Sequence, residues 1–155
     1  MSQPSEQPAN SLVLTLESGT VTIKTRPDLA PKHVERITEL AEQGFYDGSP
    51  FHRVVDGFVA QGGDPTGTGR GGSGQKIKAE FSSEPHVRGV VSMARANDPD
   101  SADSQFFICL ADATFLDGKY TVWGEVVEGM ELIDELERGE PPAEPNVIVS
   151  LRRGD

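Results

Sequence analysis

Glycine and proline divide this chain into short apolar runs, which limits it to a fold of many strands and turns. The runs "GVVSMA", "SQFFICLA", "YTVWGEVV" and "NVIVSLR" have the length of β-strands, and turn-rich segments separate them. Ser11–Thr25 alternates apolar and polar residues on either side of "ESG", which predicts a hairpin with Gly19 as its turn glycine. The 17 glycines and 11 prolines among 155 residues agree with a strand-rich chain.

Two segments have helical periodicity instead. In "APKHVERITELAEQGFYDG" (Ala30–Gly48) the apolar residues recur at spacings of four, three and four, at Ala30, Val34, Ile37 and Ala41. Pro31 suits the first helical turn, and Gly44 suits the C-terminal end. His33 falls off the apolar face, so we expect it to be solvated. The segment "EGMELIDELERG" predicts a short second helix.

The chain has neither an internal repeat nor a linker that would divide it. Its length of 155 residues suits one domain with a hydrophobic core of its own. We therefore predict a disordered tail over residues 1–10 and a single domain over residues 11–155. This domain is mainly β, an antiparallel barrel or sandwich with two helices packed outside.

Charge and cysteine content exclude several classes of function. The formal net charge of −11 argues against a general role on nucleic acids or anionic membranes, because phosphate binding depends on lysine and arginine. No apolar run is long enough to span a bilayer, and "MSQPSEQPAN" lacks the basic and apolar regions of a secretory signal. The single cysteine, Cys109, excludes a disulfide framework and favours a cytoplasmic location. Its neighbours in "FFICLA" favour a buried side chain over a nucleophile.

The glycine-rich end of Phe51–Gly74, "FHRVVDGFVAQGGDPTGTGRGGSG", raises the question of a nucleotide site. Gly67, Gly69 and Gly72 have the Gly-x-Gly-x-x-Gly spacing of a dinucleotide fingerprint. Phosphate-binding loops of this kind open a helix, and no helical pattern follows Gln75. We therefore favour a flexible loop that lets a ligand or backbone approach closely.

Hydrolytic and metal sites lack a matching pattern as well. The three histidines, His33, His52 and His86, are dispersed and form no metal-ligand spacing. No nucleophile elbow is present, and the acidic pairs are spread over loops and the second helix, as on solvated faces. We therefore expect neither a metal nor another cofactor.

Four segments remain, in the order "FHRVVDGFVAQGGD", "GVVSMARA", "SQFFICL" and "FLDGKYTVWGEV". They combine two arginines, two glutamines and several aromatic residues, which suits a site that holds an apolar ring and a peptide backbone. With these motifs, from about Leu12 to Arg152, the chain resembles the cyclophilins, the cyclosporin-binding peptidyl-prolyl cis-trans isomerases. Its compact loops resemble those of bacterial members. The resemblance implies a closed eight-stranded antiparallel β-barrel capped by two α-helices, acting without a cofactor on X-Pro bonds of unfolded or folding proteins.

The resemblance implies that two residues take part in catalysis. Arg53 matches the family's catalytic arginine, whose guanidinium would donate to the proline nitrogen as the amide twists and loses conjugation. Gln61 would hold Arg53 and reach the substrate backbone. The structural alternative for Arg53 is an arginine that caps the rim of the barrel through a salt bridge.

The resemblance also implies an apolar seat for the proline ring, formed by Phe58, Val59, Phe107 and Leu116. Neighbouring residues of a strand face opposite sides, so we expect Phe106 in the core if Phe107 faces the groove.

The substrate backbone would lie along a separate segment. Ala94, Arg95 and Ala96 would pair through their backbone with the residue before proline, and Gln105 would lie at the entrance. Gly71 and Gly72 would border the groove.

Three positions depart from the best-known members of the family. Phe115 replaces a tryptophan whose indole binds cyclosporin, so we expect weak cyclosporin binding, and Trp123 is expected to pack inside the barrel. Tyr120 replaces a histidine in the groove, and its hydroxyl could donate in place of the ring N–H. Arg95 replaces an asparagine and is a hypothetical determinant of preference for acidic residues just before proline.

Two other functions remain open from the sequence. One is a proline-peptide binding module with little turnover, which would be expected to lack Arg53. The other is a nucleotide-binding protein. No coiled-coil pattern or additional domain indicates an oligomer, so we expect a monomer.

Overall fold

One antiparallel sheet of eight strands dominates the structure, a computed structural model that describes residues 10–154. In space the strands follow the order β3-β4-β6-β5-β7-β2-β1-β8. Their bounds are β1 Ser11–Leu16, β2 Gly19–Thr25, β3 Arg53–Val55, β4 Val59–Gly62, β5 Val90–Met93, β6 Phe106–Cys109, β7 Val122–Glu128 and β8 Ser150–Arg153. The tail predicted over residues 1–10 lies, apart from Asn10, outside the described residues.

The predicted hairpin is confirmed, with one correction to its turn. All six residues of β1 pair with β2, from Ser11–Lys24 to the last pair, Leu16–Gly19. Gly19 is therefore the first residue of β2, and Glu17 and Ser18 form the turn.

The prediction of eight antiparallel strands is confirmed, but they form an open, curled sheet, and the predicted closure of the barrel is not confirmed. Among the described residues no ladder joins the edge strands β3 and β8. The edge of β3 is instead bonded to a loop, because Val54 and Gly139 exchange both backbone hydrogen bonds at 2.8 and 2.9 Å. The segments before the two edge strands do meet, and the N–H of Phe51 donates to the carbonyl of Asn146 at 2.8 Å.

Both predicted helices are present. Helix α1 spans Pro31–Glu42, with Pro31 in its first turn and Gly44, at φ +75°, just beyond its C-cap. Helix α2 spans Met130–Asp134 and is shorter than the segment that predicted it. No helix within residues 10–154 is long and apolar enough to cross a membrane.

The expectation that His33 would be solvated is wrong. Its side chain is fully buried on α1, and Nδ1 lies 2.7 Å from Oε1 of Glu80. Burial lowers the pKa of His33, while the Glu80 carboxylate opposes that shift. The periodicity of α1 predicts which side of the helix is apolar. It does not show that another segment, the one that carries Glu80, covers His33 on the other side.

Apolar residues on both faces of the central strands form two separate clusters. On β6, Phe106 and Ile108 belong to the main core, whereas Phe107 and Cys109 belong to a smaller cluster on the opposite face. Trp123 is fully buried in the main core, edge-to-face with Phe106 at 5.9 Å, as predicted. The smaller cluster positions the functional site described next.

Candidate active site

A groove of about 280 Å³ lies over the smaller apolar cluster. Every described residue that lines it belongs to the set predicted from the sequence: Arg53, Phe58, Val59, Gln61, Ala94, Arg95, Phe107, Leu116 and Tyr120. Ala96 and Gln105 line an adjoining cavity of about 400 Å³, together with Gly71 and Gly72. Phe115 is 65% exposed and stacks on Phe58 with ring centroids 5.6 Å apart. The tertiary structure thus brings the twelve predicted residues to one side of the sheet.

Two hydrogen bonds hold the Arg53 guanidinium over the groove. The β3–β4 register places Arg53 opposite Gln61, and Nη1 donates to Oε1 of Gln61 at 3.2 Å. Nε donates to Oε1 of Glu140 at 2.9 Å. Among residues 10–154, Nη2 of Arg53 has no hydrogen-bond partner, so its two donors are available to a ligand. Glu140, in a loop remote in the sequence, was not predicted.

A chain of side-chain amides connects Gln61 to the glycine-rich loop. Nε2 of Gln61 donates to Oε1 of Gln105 at 3.1 Å. Nε2 of Gln105 in turn donates to the carbonyls of Gly69 and Gly71, each at 3.0 Å. The position of Arg53 therefore depends on the conformation of that loop.

The glycine-rich loop folds around an internal carboxylate. Asp64 is fully buried and accepts hydrogen bonds from the N–H groups of Thr66 at 2.8 Å, Gly69 at 2.7 Å and Gly71 at 3.0 Å. Burial alone would raise the pKa of the Asp64 carboxyl, but these bonds and that of the Thr66 hydroxyl lower it to about 2. The loop amides that a bound phosphate would need are already occupied, which supports the prediction of a loop rather than a phosphate cradle.

Aromatic side chains form the apolar part of the groove. Phe107 is 5% exposed, and its ring lies edge-to-face with Tyr120 at 5.6 Å and stacked with His86 at 6.1 Å. Leu116 comes from a short 3₁₀ helix, Thr114–Leu116. Phe107 and Phe106 point to opposite faces, as the strand alternation predicted.

His86 supports this wall, although the sequence indicated only that it is one of three dispersed histidines. Its side chain is fully buried, with Nδ1 3.0 Å from Oδ1 of Asp117 and Nε2 3.0 Å from Oγ of Ser92. The backbone N–H of His86 also donates to Oδ1 of Asp117 at 2.7 Å and lowers the pKa of that carboxyl. His86 thereby connects Asp117, which follows the 3₁₀ helix of Leu116, to Ser92 on β5. No spacing in the sequence indicates this pair.

The guanidinium of Arg95 donates hydrogen bonds to nearby backbone carbonyls. Nε and Nη2 donate to the carbonyl of Lys119 at 3.0 and 2.7 Å, and Nη1 donates to the carbonyls of Ala96 and Asn97. The guanidinium lies 4.8 Å from the centroid of the Tyr120 ring. Arg95 therefore orders the rim of the groove and keeps its positive charge there.

The remaining reactive groups do not form a second centre. Cys109 is fully buried, and burial raises the pKa of its thiol to about 12, so it is the buried side chain predicted from "FFICLA". Within residues 10–154 no group of His, Cys, Asp and Glu side chains has the arrangement of a metal site. His52 is buried beside Gly69, and burial lowers its pKa.

Comparison with known proteins gives a consistent set of similarities. The family model "Cyclophilin type peptidyl-prolyl cis-trans isomerase/CLD" matches residues 11–153. A probable peptidyl-prolyl cis-trans isomerase of Brucella abortus is 48% identical over 144 residues, which cover 85% of this chain and 74% of that protein.

Solved structures resemble the fold over nearly its whole length. The crystal structure of a cyclophilin from Hirschia baltica has a TM-score of 0.87 and 32% identity, covering 95% of this chain and 74% of that chain. A cyclophilin-type isomerase of Cryptosporidium parvum, determined in the presence of the dipeptide Ala-Pro, has a TM-score of 0.87 and 28% identity, covering 94% of this chain and 99% of its own.

Proposed function

Because this chain belongs to the family of cyclophilin-type peptidyl-prolyl cis-trans isomerases, we propose that the Arg53 groove is the site where it catalyses rotation about X-Pro bonds. The observation that carries the proposal is the position of the Arg53 guanidinium, which keeps donors available beside an apolar seat. The test is a prolyl isomerisation assay on an Ala-Pro tetrapeptide with the wild type and Arg53→Ala.

The chemistry requires that the amide lose its conjugation for a moment. Rotation about a peptide bond has a barrier of about 18–20 kcal/mol, and uncatalysed rotation of X-Pro bonds takes tens to hundreds of seconds. An acceleration of about 10⁵ corresponds to about 7 kcal/mol of preferential transition-state binding. No covalent bond is broken, so the site needs neither a nucleophile nor a general base.

Arg53 would supply a large share of this preference. The proline nitrogen acquires an accessible lone pair only when the amide twists, so a hydrogen bond from Nη2 of Arg53 is stronger in the transition state than in the ground state. Gln61 and Glu140 orient the fork before the substrate arrives, which avoids reorganisation during the reaction.

The substrate would be held by its ring and its backbone. Phe107, Val59 and Leu116 form an apolar floor that can receive the proline ring, with Phe58 at its edge. Ala94 lines the groove and Ala96 lines the adjoining cavity, and their backbone would pair with the residue before proline. The substrates would be proline-containing segments of unfolded or folding proteins, as the dipeptide in the Cryptosporidium parvum structure suggests by analogy.

The negative charge of Glu140 is expected to weaken Arg53 as a hydrogen-bond donor and thereby to lower kcat/KM. Glu140→Gln keeps an acceptor for Nε of Arg53 but removes a negative charge 2.9 Å from it. The guanidinium then becomes a stronger donor, so kcat/KM on a neutral Ala-Pro peptide should rise about twofold at low salt. Both side chains are partly exposed, and the gain should disappear in about 1 M salt, where the Debye length is about 3 Å.

The matched control is Glu140→Ala, which removes the charge together with the acceptor. It should gain less than Glu140→Gln, because Arg53 then keeps one of its two anchoring bonds. A lower rate for Glu140→Gln than for the wild type would contradict the claim that the charge of Glu140 lowers kcat/KM.

Cyclosporin binding is expected to be weak and to improve with Phe115→Trp. Phe115 is 65% exposed on the rim, where an indole fits and adds the N–H donor that phenylalanine lacks. One neutral hydrogen bond contributes about 0.5–1.5 kcal/mol, so cyclosporin affinity should rise about two- to thirteenfold in a calorimetric titration. Phe115→Leu serves as the control and should show no gain. Equal gains in both variants would attribute the effect to shape rather than to the donor.

A further inference from the structure

The cavity beside the proline seat is lined by an unusual concentration of positive charge. This cavity of about 400 Å³, here the cationic cavity, shares Gln61, Ala94 and Arg95 with the groove that contains the seat. Among residues 10–154 its lining includes the cations Arg70, Lys76 and Arg95 and a single carboxylate, that of Asp103. In a chain of net charge −11, three cations around one cavity call for a specific explanation.

Neighbouring carboxylates do not neutralise these cations. Of the nine arginines, all of them within the described residues, only Arg70 and Arg95 have no carboxylate partner, and both line the cationic cavity. Lys76 likewise has no ion pair among residues 10–154. Arg95 bonds backbone carbonyls, which leaves its charge in place.

The one carboxylate of the cavity is already bound by the glycine-rich loop. Oδ1 of Asp103 accepts the N–H of Ser73 at 2.7 Å and its hydroxyl at 2.6 Å, and Oδ2 accepts the N–H of Gly74 at 3.1 Å. Asp103 therefore maintains the loop beside Arg70, and the cavity keeps an excess of positive charge.

We propose that the cationic cavity binds an acidic side chain of the substrate, one or two residues before the proline, and that the enzyme therefore prefers acidic X-Pro sequences. The proposal rests on the proposed function, because its direction follows from the pairing proposed above between the residue before proline and Ala94 and Ala96, which line this cavity. A glutamate carboxylate entering the cavity would meet Arg70, Lys76 and Arg95 together.

The preference for a glutamate peptide should be measurable although the whole protein carries a negative net charge. A net charge of −11 repels acidic peptides at long range, so without a local cationic site a glutamate peptide would react more slowly than its glutamine analogue. Arg70 and Lys76 are exposed, which limits each contact to the range of surface ion pairs. Together the three cations should favour the glutamate peptide about fivefold in kcat/KM at low salt.

The experiment compares tetrapeptides with Glu, Gln or Lys at the first or second position before proline, and with Glu after proline. The wild type should show a Glu:Gln ratio of kcat/KM of about five for at least one position before proline, and about one or less for Glu after it. In about 1 M salt the preference should fall towards one. A ratio near one at both positions before proline, or a preference confined to Glu after proline, would overturn the proposal.

Two double variants separate the cavity from general charge. Arg70→Gln/Lys76→Gln should bring the Glu:Gln ratio close to one. Lys24→Gln/Lys32→Gln makes the same change in net charge at exposed positions outside both cavities and should keep the ratio of the wild type. Retention of the preference in the first variant, or its loss in both, would contradict the assignment to the cationic cavity.

Arg53→Ala distinguishes a failure of this proposal from a failure of the proposed catalytic site. If Arg53 is catalytic, its removal slows the Glu and Gln peptides alike and leaves their ratio unchanged. An unchanged rate in Arg53→Ala would contradict the catalytic site, whereas a large loss of rate together with a wild-type ratio of one would contradict only the cationic cavity.

Discussion

Arg53→Ala is expected to lower kcat/KM on an Ala-Pro tetrapeptide about 10²- to 10³-fold. Removing one preorganised donor from a developing charge or lone pair in a shielded site raises the barrier by about 2.7–4 kcal/mol. The loss should appear mainly in kcat, because the bond to the proline nitrogen forms only in the twisted amide. A protease-coupled or NMR exchange assay would measure it.

Arg53→Lys is the informative companion variant. Lysine keeps the positive charge but cannot donate to Gln61, Glu140 and the substrate from one planar fork. Its rate should lie between those of the wild type and Arg53→Ala. Circular dichroism and affinity for an Ala-Pro peptide would show that both variants remain folded. If folded Arg53→Ala kept the wild-type rate, Arg53 would be a rim-capping residue, and if the wild type itself were slow, the groove would be a binding module.

Asp64→Ala is expected to produce the largest loss of stability among these variants, about 2–4 kcal/mol. The buried Asp64 carboxylate accepts hydrogen bonds from the N–H groups of Thr66, Gly69 and Gly71, and alanine leaves these donors without a partner. Catalysis should also fall about fivefold, because the carbonyls of Gly69 and Gly71 hold the amide chain that leads to Arg53.

Urea unfolding would measure this difference in the free energy of unfolding. Asp56→Ala is the control, since it removes an aspartate that is 81% exposed and paired with Arg138 on the surface. Its loss should stay below about 1 kcal/mol. Equal losses in the two variants would mean that the internal carboxylate does not organise the loop.

The Asp64 contribution should depend on pH in a defined direction. The folded-state pKa of about 2 lies below the ordinary value of 3.8, so the carboxylate stabilises the fold above about pH 4. This stabilisation should be lost as the pH falls from about 4 to 2. The difference in stability between the wild type and Asp64→Asn should therefore narrow over that interval. A difference that stays constant from pH 7 to pH 2.5 would contradict the assignment.

Local patterns in the sequence were sufficient for most of the secondary structure. Alternation on either side of "ESG" corresponds to the β1–β2 hairpin, and the spacing that begins at Ala30 corresponds to α1. Alternation along β6 also separated Phe106 from Phe107 correctly. These features depend on the period of a strand or helix, which a few neighbouring residues express.

The candidate site was predicted by resemblance of its motifs rather than by periodicity. A pattern of apolar runs does not tell which face of β4 or β6 lines a groove. The motifs around Arg53, Gln61 and Phe107 supplied that assignment, and the structure places these residues around one groove. Their roles in catalysis and binding stay predictions until the variants above are measured.

Contacts between distant segments were beyond the reach of the sequence. Glu140 meets Arg53 across 87 positions, and Glu80 covers His33 across 47. The same holds for His86 and Asp117, which are 31 positions apart, and for Asp103 and the Ser73 of the glycine-rich loop, which are 30 positions apart. Each of these polar groups has many possible partners along the chain, and burial in the folded protein selects one of them.

Residue types and their local order therefore account for the strands, the helices and the chemical identity of the groove. Which charges meet, which remain unpaired around the cationic cavity and how the edges of the sheet are joined depend on long-range packing. The physical reason is that local periodicity is expressed within a few residues. Electrostatic pairing and burial depend on distances that exist only after the chain has folded.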